Sequence, residues 1–172
     1  MRKSVLFCFA IALVASGCRD KKGTPNDDVV RRQSAIIMKE IEKGTGMWSK
    51  YNNIVGFGAG GLDIDGDGIK EILIYAREDR VIQGAYWWLQ YYKDGTWHLV
   101  SKTPFMQVND WHVYYRTNDV KNLPRLFKQS GDSAEAVIFD KEKGTVTLEP
   151  FDRQAFEDLL KQGVLIYEGD GN

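Results

Sequence analysis

The chain is poor in cysteine, histidine and proline, with two, two and four among 172 residues. Both cysteines, Cys8 and Cys18, lie near the N-terminus, so the sequence after them has no thiol for a disulfide, a zinc site or a nucleophile. His98 and His112 stand outside any HExxH-type spacing, and each is read as structural. No GxSxG elbow is present. Charge of one sign is lacking too: 23 Lys and Arg face 24 Asp and Glu, a net charge of −1. That removes a general pull toward nucleic acid, and no nucleic-acid-reading motif occurs. The carboxylate pairs Glu78/Asp79 and Glu157/Asp158 have the residue type for glycoside chemistry. They fall in an expected turn and on an expected helix, where a solvated face is the ordinary role. The chain is read as non-enzymatic.

The N-terminus has a separate character. Arg2 and Lys3 precede "SVLFCFAIALVAS", an apolar run too short to span a bilayer comfortably. This is a secretory signal pattern. It ends in "ASGC", Ala15 to Cys18, which resembles the lipobox of bacterial lipoproteins, with alanine where leucine is usual. The resemblance implies that residues 1–17 are removed and that Cys18 is lipidated. Acyl chains then give a membrane anchor, and Arg19 in place of aspartate implies the outer membrane, facing the periplasm. "RDKKGTPNDD", Arg19 to Asp28, is polar and carries Gly23 and Pro25, so 18–28 reads as anchor and tether.

Residues 29–172 are expected to form one domain. "VVRRQSAIIMKEIEKG" predicts a helix over about 28–43, capped by Asp28, with Val30, Ile36, Ile37, Met38 and Ile41 as its apolar stripe and Gly44 as its stop. Strand signals then dominate. Asp94-Gly95 between two aromatic runs predicts a hairpin, and a second is expected to turn near Lys143-Gly144. "NLPRLFKQ" is expected as a short helix or turn. "DRQAFEDLLKQG" predicts a helix capped by Asp152 and stopped by Gly163. "VLIYEG" is expected to close the sheet. The fold class is α+β, mainly antiparallel β: a twisted meander, partial-propeller-like, with a helix near each end.

The densest pattern is "GLDIDGDGIKEILIYA", Gly61 to Ala76. Asp63, Asp65 and Asp67 alternate, Gly66 and Gly68 permit tight turning, and Glu71 precedes an apolar strand. Alternate carboxylates in a turned loop repel one another unless a hard cation joins them, and calcium takes six to eight oxygens. The first nine positions match an EF-hand loop, but the twelfth is Ile74 and the flank is strand-like. The stretch Phe57 to Tyr75 more closely resembles the calcium loop of FG-GAP and VCBS repeats, where DxDGDGxxE sits in a β-hairpin; a looser likeness runs on to Ser101. The resemblance implies a structural Ca2+ held by Asp63, Asp65, Asp67, the Ile69 carbonyl and Glu71. The loop does not repeat along the chain, which excludes a long propeller array.

Aromatic residues concentrate in Tyr86 to Trp97 and Trp111 to Tyr115. Alternation places Tyr86, Trp88 and Tyr92 on one strand face and Trp87, Leu89 and Tyr91 on the other. One face is expected in the core; the other is either covered by a helix or offered to a partner. Trp87, Trp88, Tyr91, Trp111 and Tyr114 are the candidate partner-binding residues, because aromatics dominate interface hot spots. The expected function is a lipid-anchored, non-catalytic protein-binding module. Small lipoproteins with such a loop include immunity proteins that inhibit cell-wall hydrolases delivered by rivals, which makes a periplasmic or delivered hydrolase one candidate partner. A carbohydrate or envelope-polymer binder, using the same aromatics for stacking, is the alternative; a hydrolase is a third.

Overall fold

A computed structural model describes residues 24–51, 54–79, 85–108, 112–116, 124–130, 132–161 and 163–168. The expected signal peptide, Cys18, most of the tether and Trp111 lie outside them. Two five-stranded antiparallel sheets pack face to face, with a helix on the outer face of each. Among the described residues no helix is long and apolar enough to cross a membrane.

Helix α1 spans Asp27–Lys43. Its cap is Asn26, one residue before the helix, whose side chain accepts the Val29 N–H at 3.0 Å; Asp28 instead lies in the first turn. Gly44 ends it in a left-handed conformation (φ 60°), with its own N–H and that of Thr45 returned to the Ile41 and Glu40 carbonyls. Val30, Ser34, Ile37 and Ile41 form the buried face. Ile36 and Met38, expected in that stripe, flank it and are 51% and 37% exposed. A 3-10 turn over Gly46–Lys50 follows and buries Trp48.

The first sheet is a meander of β1 (Ile54–Leu62), β2 (Glu71–Glu78), β3 (Ala85–Lys93) and β4 (Thr96–Leu99), and β5 (Met106–Val108) also pairs with β3. The β3–β4 turn is Asp94-Gly95, both at positive φ (51° and 84°), as the dipeptide predicts. The second sheet has β6 (His112–Arg116), β7 (Leu126–Ser130), β8 (Ser133–Asp140) and β9 (Thr145–Phe151) in meander order, with β10 (Gly163–Glu168) returning beside β6. The expected single meander is thus divided between two sheets. "NLPRLFKQ" yields strand β7 rather than helix or turn. Its alternation explains this: Leu126 enters the core between the sheets, while Phe127 packs under the second helix. That helix, α2 (Arg153–Leu160), is capped by Asp152 as expected; Lys161 closes it, and Gly163 opens β10.

The layering accounts for strands that read apolar on both faces. On β2, Ile72, Ile74 and Ala76 pack beneath α1, while Leu73 and Tyr75 meet the second sheet. On β3, Trp88 packs edge-on to Trp48 at 4.9 Å under the helical layer, while Trp87 and Leu89 enter the core between the sheets. Both tryptophans are buried, at 2% and 1% exposure, so neither is available as partner-binding surface.

Candidate metal centre

The loop from Asp63 to Lys70 joins β1 to β2, whose last register pair is Leu62 with Glu71. Three short hydrogen bonds shape it. Gly66 N–H donates to Asp63 Oδ1 (2.9 Å), Asp67 N–H to Asp65 Oδ1 (3.1 Å) and Ile69 N–H to Asp67 Oδ1 (2.7 Å). Each aspartate spends one oxygen on the turn; the other faces Arg125 at Asp63 and Lys141 at Asp65 and Asp67. Gly66 and Gly68, at φ 80° and 84°, supply the left-handed turns. Ile64, 4% exposed, pins the loop into the core between the sheets.

Glu71 is the deepest carboxylate, at 0% exposure. Its Oε2 accepts the Ile64 N–H at 2.9 Å. One oxygen each from Asp63, Asp65 and Glu71 lie within 4.8 Å of one another, a group able to hold a metal ion. Asp65 is exposed as a residue, yet its side chain is only 16% exposed. Asp67, expected as a ligand, stands outside this converging set; its Oδ2 accepts from Lys141 Nζ at 2.7 Å. Ile69, whose carbonyl the resemblance assigns to the metal, is half-buried, with its N–H held by Asp67.

Residues on and beside the second sheet complete the site. Arg125 Nη1 donates to Asp63 Oδ2 (2.9 Å) and to the Asp63 carbonyl (3.3 Å), and the Tyr115 hydroxyl donates to that carbonyl at 3.1 Å. Lys141, just after β8, reaches Asp67, Glu71 (3.5 Å) and Asp65 (4.0 Å). Sequence reading did not find Arg125, Tyr115 or Lys141. They come from 52 to 74 residues away, and no local pattern marks them.

Burial and mutual repulsion shift the carboxyls of Asp63, Asp65 and Glu71 in one direction. Burial, and then the Asp65 charge, push the Glu71 carboxyl up to about 8. Burial also raises Asp63, outweighing Arg125, and raises Asp65. Lys141 is held above its usual value: burial opposes its charge, and the Asp67 hydrogen bond with the Glu71, Asp67 and Asp65 charges outweighs burial. The donors are all oxygens, which suits a hard cation.

The other candidate residues that the structure describes have local partners. Tyr91 is half-buried against Phe139 (5.3 Å) and His98 (5.4 Å). Tyr114 is half-buried and meets Phe156 of α2 edge-on at 5.7 Å. His98 Nε2 lies 2.9 Å from Thr96 Oγ1 and 3.2 Å from the Lys93 carbonyl, bracing the β3–β4 hairpin. Glu157 and Asp158 of α2 pair with Arg153 in the same helix and with Lys161 just after it. A groove of about 380 Å³ beside the end of α1 is lined by Ile41, Glu42, Tyr51, Ile54 and Phe57 among others. Comparison with protein-family models, with curated proteins and with solved structures finds no match.

Proposed function

We propose that the protein is a calcium-stapled, non-catalytic binding lipoprotein of the cell envelope, anchored through Cys18 and acting on a protein partner. Its calcium is structural and closes the seam between the two sheets. The observation that carries the calcium reading is Glu71: a fully buried carboxylate facing oxygens of Asp63 and Asp65 within 4.8 Å, at the point where side chains on and beside the second sheet meet the loop. Such a charge is costly to bury alone and favourable once a cation joins the group. Glycine-rich turning and an all-oxygen donor set favour calcium over magnesium, which demands a stricter octahedron. Asp63, Asp65 and Glu71 are the first ligands, with Asp67 and the Ile69 carbonyl completing the shell. Extracellular modules of this kind bind at about 10⁻⁴ to 10⁻³ M.

A domain with no cysteine after Cys18 has core packing and metal as its available staples. The converging carboxylates are turned toward the opposing sheet, a placement that serves cohesion and leaves function to the outer surface. The favoured partner is a cell-wall hydrolase, which the protein inhibits. The test mixes the purified protein at equimolar ratio with a panel of such hydrolases and follows the clearing of a cell-wall suspension. Stoichiometric loss of one hydrolase activity is expected. Attachment to the wall polymer with every hydrolase unaffected overturns the inhibitor reading. Incorporation of labelled palmitate tests the anchor: Cys18→Ala is expected to abolish it, and full labelling of that variant rejects lipidation at Cys18.

A further inference from the structure

Lys141 places its ammonium 2.7 Å from Asp67 Oδ2, 3.5 Å from Glu71 Oε1 and 4.0 Å from Asp65 Oδ2. Three of the four loop carboxylates therefore surround one side-chain cation. The carboxylate it binds most closely, Asp67, is the one absent from the converging group of Asp63, Asp65 and Glu71. We propose that Lys141 is an internal counter-ion that competes with calcium: it withholds Asp67 while the metal is away and is displaced when the metal binds. The inference rests on the calcium reading above and adds a residue that sets the affinity of the site.

Calcium sits 2.3–2.6 Å from its oxygen ligands. An ion at that distance from Asp65, Asp67 and Glu71 leaves no room for an ammonium bonded to the same oxygens, and two cations so close repel strongly. Binding is therefore an exchange. Lys141 suits the task, since an ammonium on a flexible four-carbon stem can leave without moving backbone. Its side chain is 17% exposed, so a route to solvent exists. The hairpin it belongs to keeps other ties: Lys143 pairs with Asp140 at 2.7 Å, and Lys93 with Glu142 at 3.3 Å. Arg125 has a different role. It grips Asp63 through both carboxylate and carbonyl, and it stays as the permanent link between sheets. The four carboxylates carry more charge than Lys141 and Arg125 neutralise. Demand for a divalent ion thus survives the competition, and the seam stays closed while the metal is away.

The test titrates calcium chloride into the metal-stripped full chain, purified in detergent, and follows heat and tryptophan fluorescence. Lys141→Met is expected to bind calcium about tenfold more tightly than wild type, because the repelling charge is gone. In chelator it is expected to melt lower than wild type. Lys141→Gln keeps a hydrogen-bond donor without charge and is expected to bind as tightly as Lys141→Met, which covers failure of the methionine variant to fold. Lys141→Arg and Lys143→Met are expected to match wild type. If wild type binds calcium and the two neutral variants bind no tighter, the competition is overturned and the metal site stands. If neither wild type nor any Lys141 variant binds calcium, the metal reading falls and this proposal with it.

Discussion

Arg125, just before β7 of the second sheet, and Asp63 of the β1–β2 loop form an ion pair at 2.9 Å, with side chains 9% and 17% exposed. The two residues are 62 positions apart, and the pair crosses the seam between the sheets. Removing one member leaves the other charge buried without its partner, which costs about 3 kcal/mol. Arg125→Met is therefore expected to lower stability by that amount in chemical denaturation. Adding Asp63→Asn to it should cost less than the sum of the two single changes, since the pair acts as a unit. Additive losses would show that the two side chains do not support each other.

Close approach makes a second prediction at Gly58. A Cβ there would stand 2.5 Å from Cε1 of Tyr75, whose ring lies 5.4 Å from that of Trp87 in the core. The ring has no free end to swing away. Gly58→Ala is expected to cost about 2 kcal/mol through overpacking. Gly44→Ala, with open space around it but φ 60°, should cost about 1 kcal/mol from backbone strain alone. Thermal melts of the two variants separate the mechanisms: combining Gly58→Ala with Tyr75→Leu should recover part of the loss, whereas Gly44→Ala has no neighbour whose change could relieve it. A Gly58→Ala protein as stable as wild type would refute the packing argument.

Local chemistry was readable wherever a short stretch fixes its own geometry. Asp94-Gly95 determines its turn, Gly44 its helix end, and the aspartate alternation its loop, each through backbone constraints within a few residues. The mainly antiparallel class followed from the same signals. The division into two sheets did not, because it depends on which strands meet across the core, and Val113, Leu126, Val137 and Phe139 look no different from residues of a single sheet. Strand β7 was missed for the same reason: Leu126 and Phe127 are held extended by two different layers. The burial of Trp88 depends on a helical layer that Trp48 joins from 40 positions upstream. In the candidate site the acidic residues were legible as a cluster. The cations that answer them, Arg125 and Lys141, were not, since long-range ion pairs leave no periodic trace.

Tyr75 carries a prediction about alkaline pH. Burial raises its phenol above the ordinary value of 10.0, with the Arg77 charge working in the other direction. A folded-state value above the unfolded one means that the fold favours the neutral phenol. That contribution is complete below pH 10 and is lost as pH rises through the raised value. Tyr51 is shifted in the same direction, also chiefly by burial. Near-ultraviolet absorbance is therefore expected to show Tyr75 and Tyr51 ionising above pH 10.0. Tyr75→Phe should move the midpoint of alkaline unfolding upward. An unchanged midpoint would mean that Tyr75 ionisation does not drive the transition.

Glu71 offers the sharpest separation between a metal ligand and an ordinary buried acid. Its carboxylate is fully buried, with one backbone N–H at 2.9 Å and the Lys141 ammonium only at 3.5 Å. Wild type is expected to melt higher in millimolar calcium than in chelator, by an amount that grows with calcium: about 2.7 kcal/mol at a hundred times the dissociation constant. Glu71→Gln keeps the size and an acceptor for the Ile64 N–H but removes the charge that both burial and Asp65 disfavour. In chelator this variant should be at least as stable as wild type; in calcium it should gain little or nothing. The two proteins therefore change order when calcium is added. If Glu71 were only a structural acid, the ranking would be the same in both buffers. A calcium response of wild-type size in Glu71→Gln would remove Glu71 from the ligand set.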